Sequence, residues 1–246
     1  MNAARRVAVI TDCEVHLGPD LALEMARRDH DLVLGQARSG LVEQVRALGS
    51  RVVAVDGVAD LTRAESVQNL VDAALDTFGW LDSACIRTGR IVVGDFMSAT
   101  DADVVELAGL NISSVLFALQ ALTPVMADQG GGQIVIVTSA SGESPSPGAA
   151  LYSATRAAAN MLVRNAAATV AAQQVTINAI GTNYLDYPGF RAATGADDPA
   201  VRAYLEQQVP LKRFGQPAEV AHFAAGLLDG KSRFQTGQFF ALAGGA

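Results

Sequence analysis

The sequence predicts a doubly wound α/β protein, a parallel seven-stranded sheet with helices on both faces. Short apolar runs alternate with longer amphipathic patterns along the whole chain. The runs are almost continuously apolar, as strands covered on both faces must be. No linker, repeat or low-complexity segment divides the 246 residues. One catalytic domain over residues 1–246 is therefore expected, with a loop insertion at about 181–210.

The expected strands, in order, are Val7–Ile10, Asp31–Leu34, Val52–Val55, Ser83–Ile86, Ile134–Val137, Thr176–Ile180 and Gln238–Leu242. Helical periodicity places helices near 19–29, 40–48, 62–78, 101–127, 150–173 and 217–229. Thr62 stands three residues before Glu65, the spacing of a capping box. Pro217 and Glu219 suit the first turn of the last helix. The segment 181–210 is rich in Gly, Asp and Pro and reads as irregular. Ligands of such sheets bind beyond the carboxyl ends of the strands, so this segment is a candidate substrate lid.

Composition narrows the function. Half the residues are hydrophobic, enough for one large core. The formal net charge is −7 and there is no basic block, which argues against nucleic acid or an anionic membrane as partner. No apolar run reads as a membrane span, and Met1–Arg6 leads into the first strand without a signal-peptide pattern. Cys13 and Cys85 are the only cysteines, so a reduced, cytoplasmic protein is expected. With three scattered histidines they form no metal-ligand cluster.

The chemistry concentrates at Ser139, Tyr152 and Arg156. Ser139 ends the run Gln133–Thr138, and Tyr152 follows thirteen positions later. Arg156 lies four residues past the tyrosine, one helical turn along the same face. A phenol is a poor base at neutral pH, and a neighbouring guanidinium favours its ionised form. Ser141 and Ser153 are nearby hydroxyls; Ser141 is assigned to the pocket wall.

These three residues resemble the catalytic set of the short-chain dehydrogenase/reductase family, in which the cation is lysine. The resemblance covers essentially the whole chain and implies that family's Rossmann-like fold. Asn111 matches the family's central-helix asparagine, whose implied role is to bend that helix. The first turn, Thr11-Asp-Cys-Glu-Val-His-Leu-Gly18, resembles the family's phosphate-binding turn but has Asp12 and His16 in place of glycines. Glycine serves there because a diphosphate must approach bare backbone at a helix N-terminus. An imidazole at 16 occupies that approach. Asp12 and Glu14 add like charge, which costs roughly 1–4 kcal/mol at moderate effective dielectric. Ile86-Arg-Thr-Gly89 stands where the family carries Asn-Asn-Ala-Gly, and only the last glycine is kept. Residues 35–38 offer no acid for a ribose hydroxyl, although Arg38 suits a 2′-phosphate.

Gly181-Thr-Asn-Tyr-Leu185 resembles the halide-binding loop of the halohydrin dehalogenases, a cofactor-independent branch with a Ser/Tyr/Arg set. That resemblance implies a lyase that closes vicinal haloalcohols to epoxides and opens epoxides with small anions. It implies no cofactor. Tyr152 would take the hydroxyl proton, with Ser139 holding the oxygen. The halide would lie against His16, Thr182, Asn183, Tyr184 and Leu185, and the organic part against Ser141, Tyr187, Pro188 and Phe190. It further implies a homotetramer built on the two long helices. An NADP-dependent reductase and a non-catalytic sensor or scaffold of the same fold are the alternatives.

Overall fold

A computed structural model describes residues 5–246. The readings that concern residues 1–4 lie outside the described residues. Seven parallel strands form one sheet in the order β3-β2-β1-β4-β5-β6-β7. They are β1 (Arg6–Ile10), β2 (His30–Gly35), β3 (Val52–Val55), β4 (Ser83–Arg87), β5 (Gly132–Ser139), β6 (Val175–Thr182) and β7 (Phe239–Leu242). The family resemblance thus led to the right fold class. The strand order reverses between β1, which pairs Val9 with Val33 of β2, and β4, which pairs Cys85 with Ile10. That reversal opens a crevice at the carboxyl ends of the strands, and the site lies there.

Two apolar layers sandwich the sheet. On one face α1 (Gly18–Arg27), α2 (Leu41–Ala47) and α9 (Pro217–Leu228) press Leu21, Met25, Leu41 and Ala224 onto Ile10 and Leu34. On the other, α3 (Ala64–Phe78), α5 (Ser114–Asp128) and α6 (Ala150–Val170) bring Leu70, Leu122 and Val163 onto Val9 and Ile136. Each such side chain, fully buried, contributes about 1.5–3 kcal/mol. Alternate residues of each strand feed opposite layers, which is why the strands read as unbroken apolar runs.

Four expectations need correction. Thr62 does not cap α3. Its hydroxyl donates to Asp60 Oδ1 at 2.6 Å, and Arg63 is the residue at the cap. The helix expected over 101–127 is α4 (Asp101–Ala108) and α5 joined by a π-helical turn, Gly109–Ser113. By length and composition this 28-residue run is long and apolar enough to cross a membrane, contrary to the reading that no such stretch exists. Val115, Ala118, Leu122 and Met126 are buried against the sheet, as in the core helix of a globular domain. Finally, the segment 181–210 is not irregular. It holds α7 (Pro188–Thr194) and α8 (Pro199–Gln208), each with proline in its first turn. Asp186 ties both down, accepting from Arg191 at 2.8 Å and from Arg202 at 2.7 Å.

Candidate active site

β5 delivers Ser139 and α6 delivers Tyr152 and Arg156. The connection between them is fixed by polar contacts rather than by length. Thr138 Oγ1 donates to Asn160 Oδ1 at 2.8 Å, and Asn160 Nδ2 donates to Glu143 at 3.0 Å. Gly142 packs so tightly on α6 that a Cβ would lie 2.8 Å from the Arg156 backbone. Ser153 donates to the Ser141 carbonyl. The serine-bearing strand end and the tyrosine-bearing helix are thereby locked together.

Ser139 and Tyr152 line a cavity of about 560 Å³ and are each 6% exposed. Arg156 is buried behind them, its guanidinium carbon 5.1 Å from the Tyr152 ring centroid. It donates to the Thr88 carbonyl at 2.8 Å and to Thr88 Oγ1 at 3.2 Å. Burial lowers the Arg156 pKa from its ordinary value, opposed by the adjacent phenol. A guanidinium starts so high that it remains charged. Gly89 closes this corner: its φ is +66°, and a Cβ would meet Asn111 Oδ1 and Arg156 Nη2.

Asn111 sits on the π turn, fully buried, and donates to Thr155 Oγ1 at 2.9 Å. The regular α-helical pattern is interrupted at this residue, where the resemblance implied a bend. The extra residue of the turn aims the amide at the tyrosine-bearing helix.

The first turn runs from Thr11 to Gly18, between β1 and α1. Asp12 takes a left-handed φ of 53°, which aspartate tolerates. Gly18 is required, since a Cβ there would fall 2.3 Å from the Asp12 carbonyl oxygen. His16 is buried and packs edge-to-face on Tyr187, with ring centroids 4.5 Å apart. Burial, then the cations Arg87 and Arg156, push its pKa down to about 3. The imidazole is therefore neutral. Arg87 Nε lies 3.5 Å from Asp12 Oδ2. Burial raises the Asp12 pKa, while Arg87 opposes that shift.

Thr182, Asn183, Tyr184 and Leu185 line the same cavity as His16, and so do Ser141, Tyr187 and Phe190. Tyr184 adopts a left-handed φ of 48°, with its amide donating to Asn183 Oδ1 at 2.9 Å. Pro188 departs from expectation. It is exposed, opens α7 and does not line the cavity. Arg87, Thr88 and Asn160 are site residues that the sequence reading did not rank.

A second cavity, of about 240 Å³, lies at the carboxyl ends of β1 to β4. Thr11, Gln36, Val58, Asp60 and Leu61 line it, and Arg87 borders both cavities. Gln36 Oε1 is buried there without a hydrogen-bond partner. Such an atom suits a ligand donor.

The family model described as enoyl-(acyl carrier protein) reductase matches residues 16–246. A 3-oxoacyl-[acyl-carrier-protein] reductase of Staphylococcus epidermidis is 27% identical over 97% of each chain. An uncharacterised oxidoreductase of Methylorubrum extorquens is 29% identical, covering 98% of this chain and 97% of its own. Among solved structures, L-sorbose reductase of Gluconobacter frateurii with NADPH and L-sorbose superposes at a TM-score of 0.86. It is 25% identical and covers 100% and 97% of the two chains. Levodione reductase, at 24% identity and a TM-score of 0.88 over 98% and 96%, shares the fold. These relatives overturn the expectation of a cofactor-independent carbon–halogen lyase acting on haloalcohols and epoxides. Their names are those of reductases and an oxidoreductase. The Ser/Tyr/cation spacing is common to both branches, so it carried the fold but did not distinguish the reactions.

Proposed function

The chain belongs to the short-chain dehydrogenase/reductase family, and on that premise we propose that it is an oxidoreductase interconverting a carbonyl and an alcohol with a nicotinamide cofactor. The observation that carries this reading is a pair of cavities whose walls share Arg87. One holds Tyr152 and Ser139, and the other lies at the carboxyl ends of β1 to β4. The residues fit such a cofactor at its adenosine end. Val58 and Leu61 offer apolar walls, and the unpaired Gln36 Oε1 offers an acceptor. Exposed Arg38, with no acid beside it, suits a 2′-phosphate. At the first turn, the Asp12–Arg87 pair lies where the diphosphate approaches and would have to part. The chemistry this group supplies is hydride transfer at the carbonyl carbon.

The chain's own residues handle the proton. In reduction, Tyr152 Oη gives its proton to the substrate oxygen, and Ser139 Oγ donates a hydrogen bond to that oxygen. Arg156 holds a fixed positive charge behind the ring and stabilises the phenolate left behind. Lysine, the family's usual cation, is a point donor with movable protons. Arginine pinned on Thr88 acts by charge alone.

Calorimetric titration tests the reading. NADPH should bind more tightly than NADH, with micromolar affinity, and a panel of ketones and aldehydes should be reduced. Absence of binding by both cofactors would overturn it. The reading includes cytoplasmic residence, which suits the two free buried cysteines. It also includes assembly as a homotetramer through α4–α6, which would cover the exposed Val104, Val105 and Met161. Light scattering that finds a monomer at micromolar concentration would exclude that assembly.

A further inference from the structure

The first turn carries an acid where a diphosphate would approach, and the acid cannot move aside with its backbone. Asp12 is held at a left-handed φ of 53°, with Gly18 packed on its carbonyl. Its neighbours are tied to the sheet. The Cys13 amide donates to the Gly35 carbonyl at 3.0 Å, and the Thr11 amide to the Cys85 carbonyl at 3.1 Å. Among the described residues, Arg87 is the cation paired with the Asp12 carboxylate. The pair is loose: Arg87 Nε lies 3.5 Å from Asp12 Oδ2, and that oxygen is buried without a hydrogen-bond partner. Both residues line the cavity at the carboxyl ends of β1 to β4, and Arg87 also contacts Tyr187. Burial raises the Asp12 pKa, Arg87 opposes that shift and the exposed Glu14 adds to it. The other groups around Asp12 keep their state near neutrality. Burial holds the Cys13 thiol and the Tyr187 phenol protonated, and His16 is neutral with a pKa of about 3. Across the cavity Arg90 is paired with Glu106, and hydrogen bonds from Thr62 keep Asp60 ionised.

We infer that Asp12 is a proton-operated latch on the cofactor site, holding Arg87 in the free protein and releasing it to the cofactor's diphosphate by taking up a proton. This rests on the reductase reading. Glycines that would bare the turn's backbone to a diphosphate are absent at 12 and 16, so neutralisation falls to a side chain. Arg87 offers N–H groups in a fork that matches phosphate oxygens. Once Arg87 turns to the diphosphate, Asp12 has lost its cation and gained an anion beside it, in a place where burial already disfavours its charge. Protonation removes that repulsion and gives the carboxyl a proton to donate. The carboxyl therefore keeps its proton to higher pH in the complex than in the free protein. Affinity is greatest below the free value and falls as the pH rises through the range between the two.

Calorimetric titration with NADPH at pH 6 and pH 8, in two buffers of different ionisation enthalpy, reads affinity and proton uptake together. The wild type should take up more of a proton at Asp12 than Asp12→Asn does, a difference approaching about one. Ionisation of the 2′-phosphate is common to both proteins and cancels. At pH 8 Asp12→Asn should bind NADPH roughly tenfold more tightly than the wild type, and the gap should narrow towards pH 6. Asparagine tolerates the left-handed backbone, so the turn is kept. Arg87→Gln should bind roughly ten- to a hundredfold more weakly, the loss expected for a charge-assisted hydrogen bond. It should also take up less of a proton, because Asp12 there has no cation to lose. Equal affinity of wild type and Asp12→Asn at both pH values would overturn the inference. So would proton uptake that survives intact in Asp12→Asn, which would assign the proton to His16. Affinity unmoved by Arg87→Gln would overturn the inference and leave the reductase reading in place. Binding of neither NADPH nor NADH by any of the three proteins would overturn the reductase reading itself, and the inference with it.

Discussion

Tyr152→Phe should lower kcat for carbonyl reduction by about a hundred- to ten-thousandfold, the usual loss when a positioned acid or base is removed. Phenylalanine keeps the ring against Arg156 and within its 6%-exposed site, so folding and cofactor affinity should be retained. No other group replaces the proton. Ser139 has a hydroxyl in the cavity, but its oxygen accepts from the Ser141 amide at 3.2 Å, and an alcohol is a far weaker acid. Tyr187 is the rival phenol in the same cavity, and burial raises its pKa away from neutrality. Tyr187→Phe is therefore the matched control and should retain most of kcat. Arg156→Lys should keep part of the activity because a charge remains. Arg156→Gln should lose more, since the phenolate then forms without a cation behind it. Melting temperatures recorded beside kcat separate this from the loss of the Thr88 contacts. Near-normal turnover in Tyr152→Phe would sink the assignment of Tyr152 as the acid.

The strands were legible because both faces of the sheet are covered. Each strand begins and ends within two residues of its apolar run, and β5 reaches that limit at both ends because Gly132, Gln133, Thr138 and Ser139 are buried without being apolar side chains. The lid helices were missed for the opposite reason. α8 buries no residue fully, so it shows little apolar periodicity. Its start was nonetheless readable, for Asp198 caps the amides of Ala200 and Val201 just before Pro199 opens the helix. Thr62 shows that a capping spacing is only permissive: a nearer acceptor, Asp60, took its hydroxyl. The π turn carries Asn111, whose partner Thr155 lies more than forty residues away, a contact that no local pattern encodes. Ser139, Tyr152 and Arg156, the proposed catalytic set, stood out by joint spacing, and the fold brings them to one cavity. Arg87 did not stand out, because its meaning comes from Asp12, His16 and Tyr187, which only the fold brings beside it.

His16 should make the protein acid-sensitive in a window where few other groups titrate. In the folded chain burial, reinforced by Arg87 and Arg156, holds its pKa near 3, against an ordinary value of 6.5. Between those values the unfolded chain takes up a proton that the folded chain refuses. Stability therefore falls as the pH drops below about 6.5, and the loss is complete near pH 3. A depression of this size corresponds to at most about 5 kcal/mol, at 1.36 kcal/mol per pKa unit. Burial also lowers the His30 pKa, so that residue acts in the same direction. Glu219, held near 2 by Arg213, is an exposed pair whose small contribution belongs below pH 4.5. Both are common to wild type and variant and cancel in the comparison. His16→Phe keeps an edge-to-face ring on Tyr187 and cannot be protonated. Urea unfolding at pH 7 and pH 4.5 should show a markedly smaller loss of stability for His16→Phe than for the wild type. Parallel curves for the two proteins would mean that His16 gains a proton in the folded state, and the neutral imidazole assigned to the cavity would have to be abandoned.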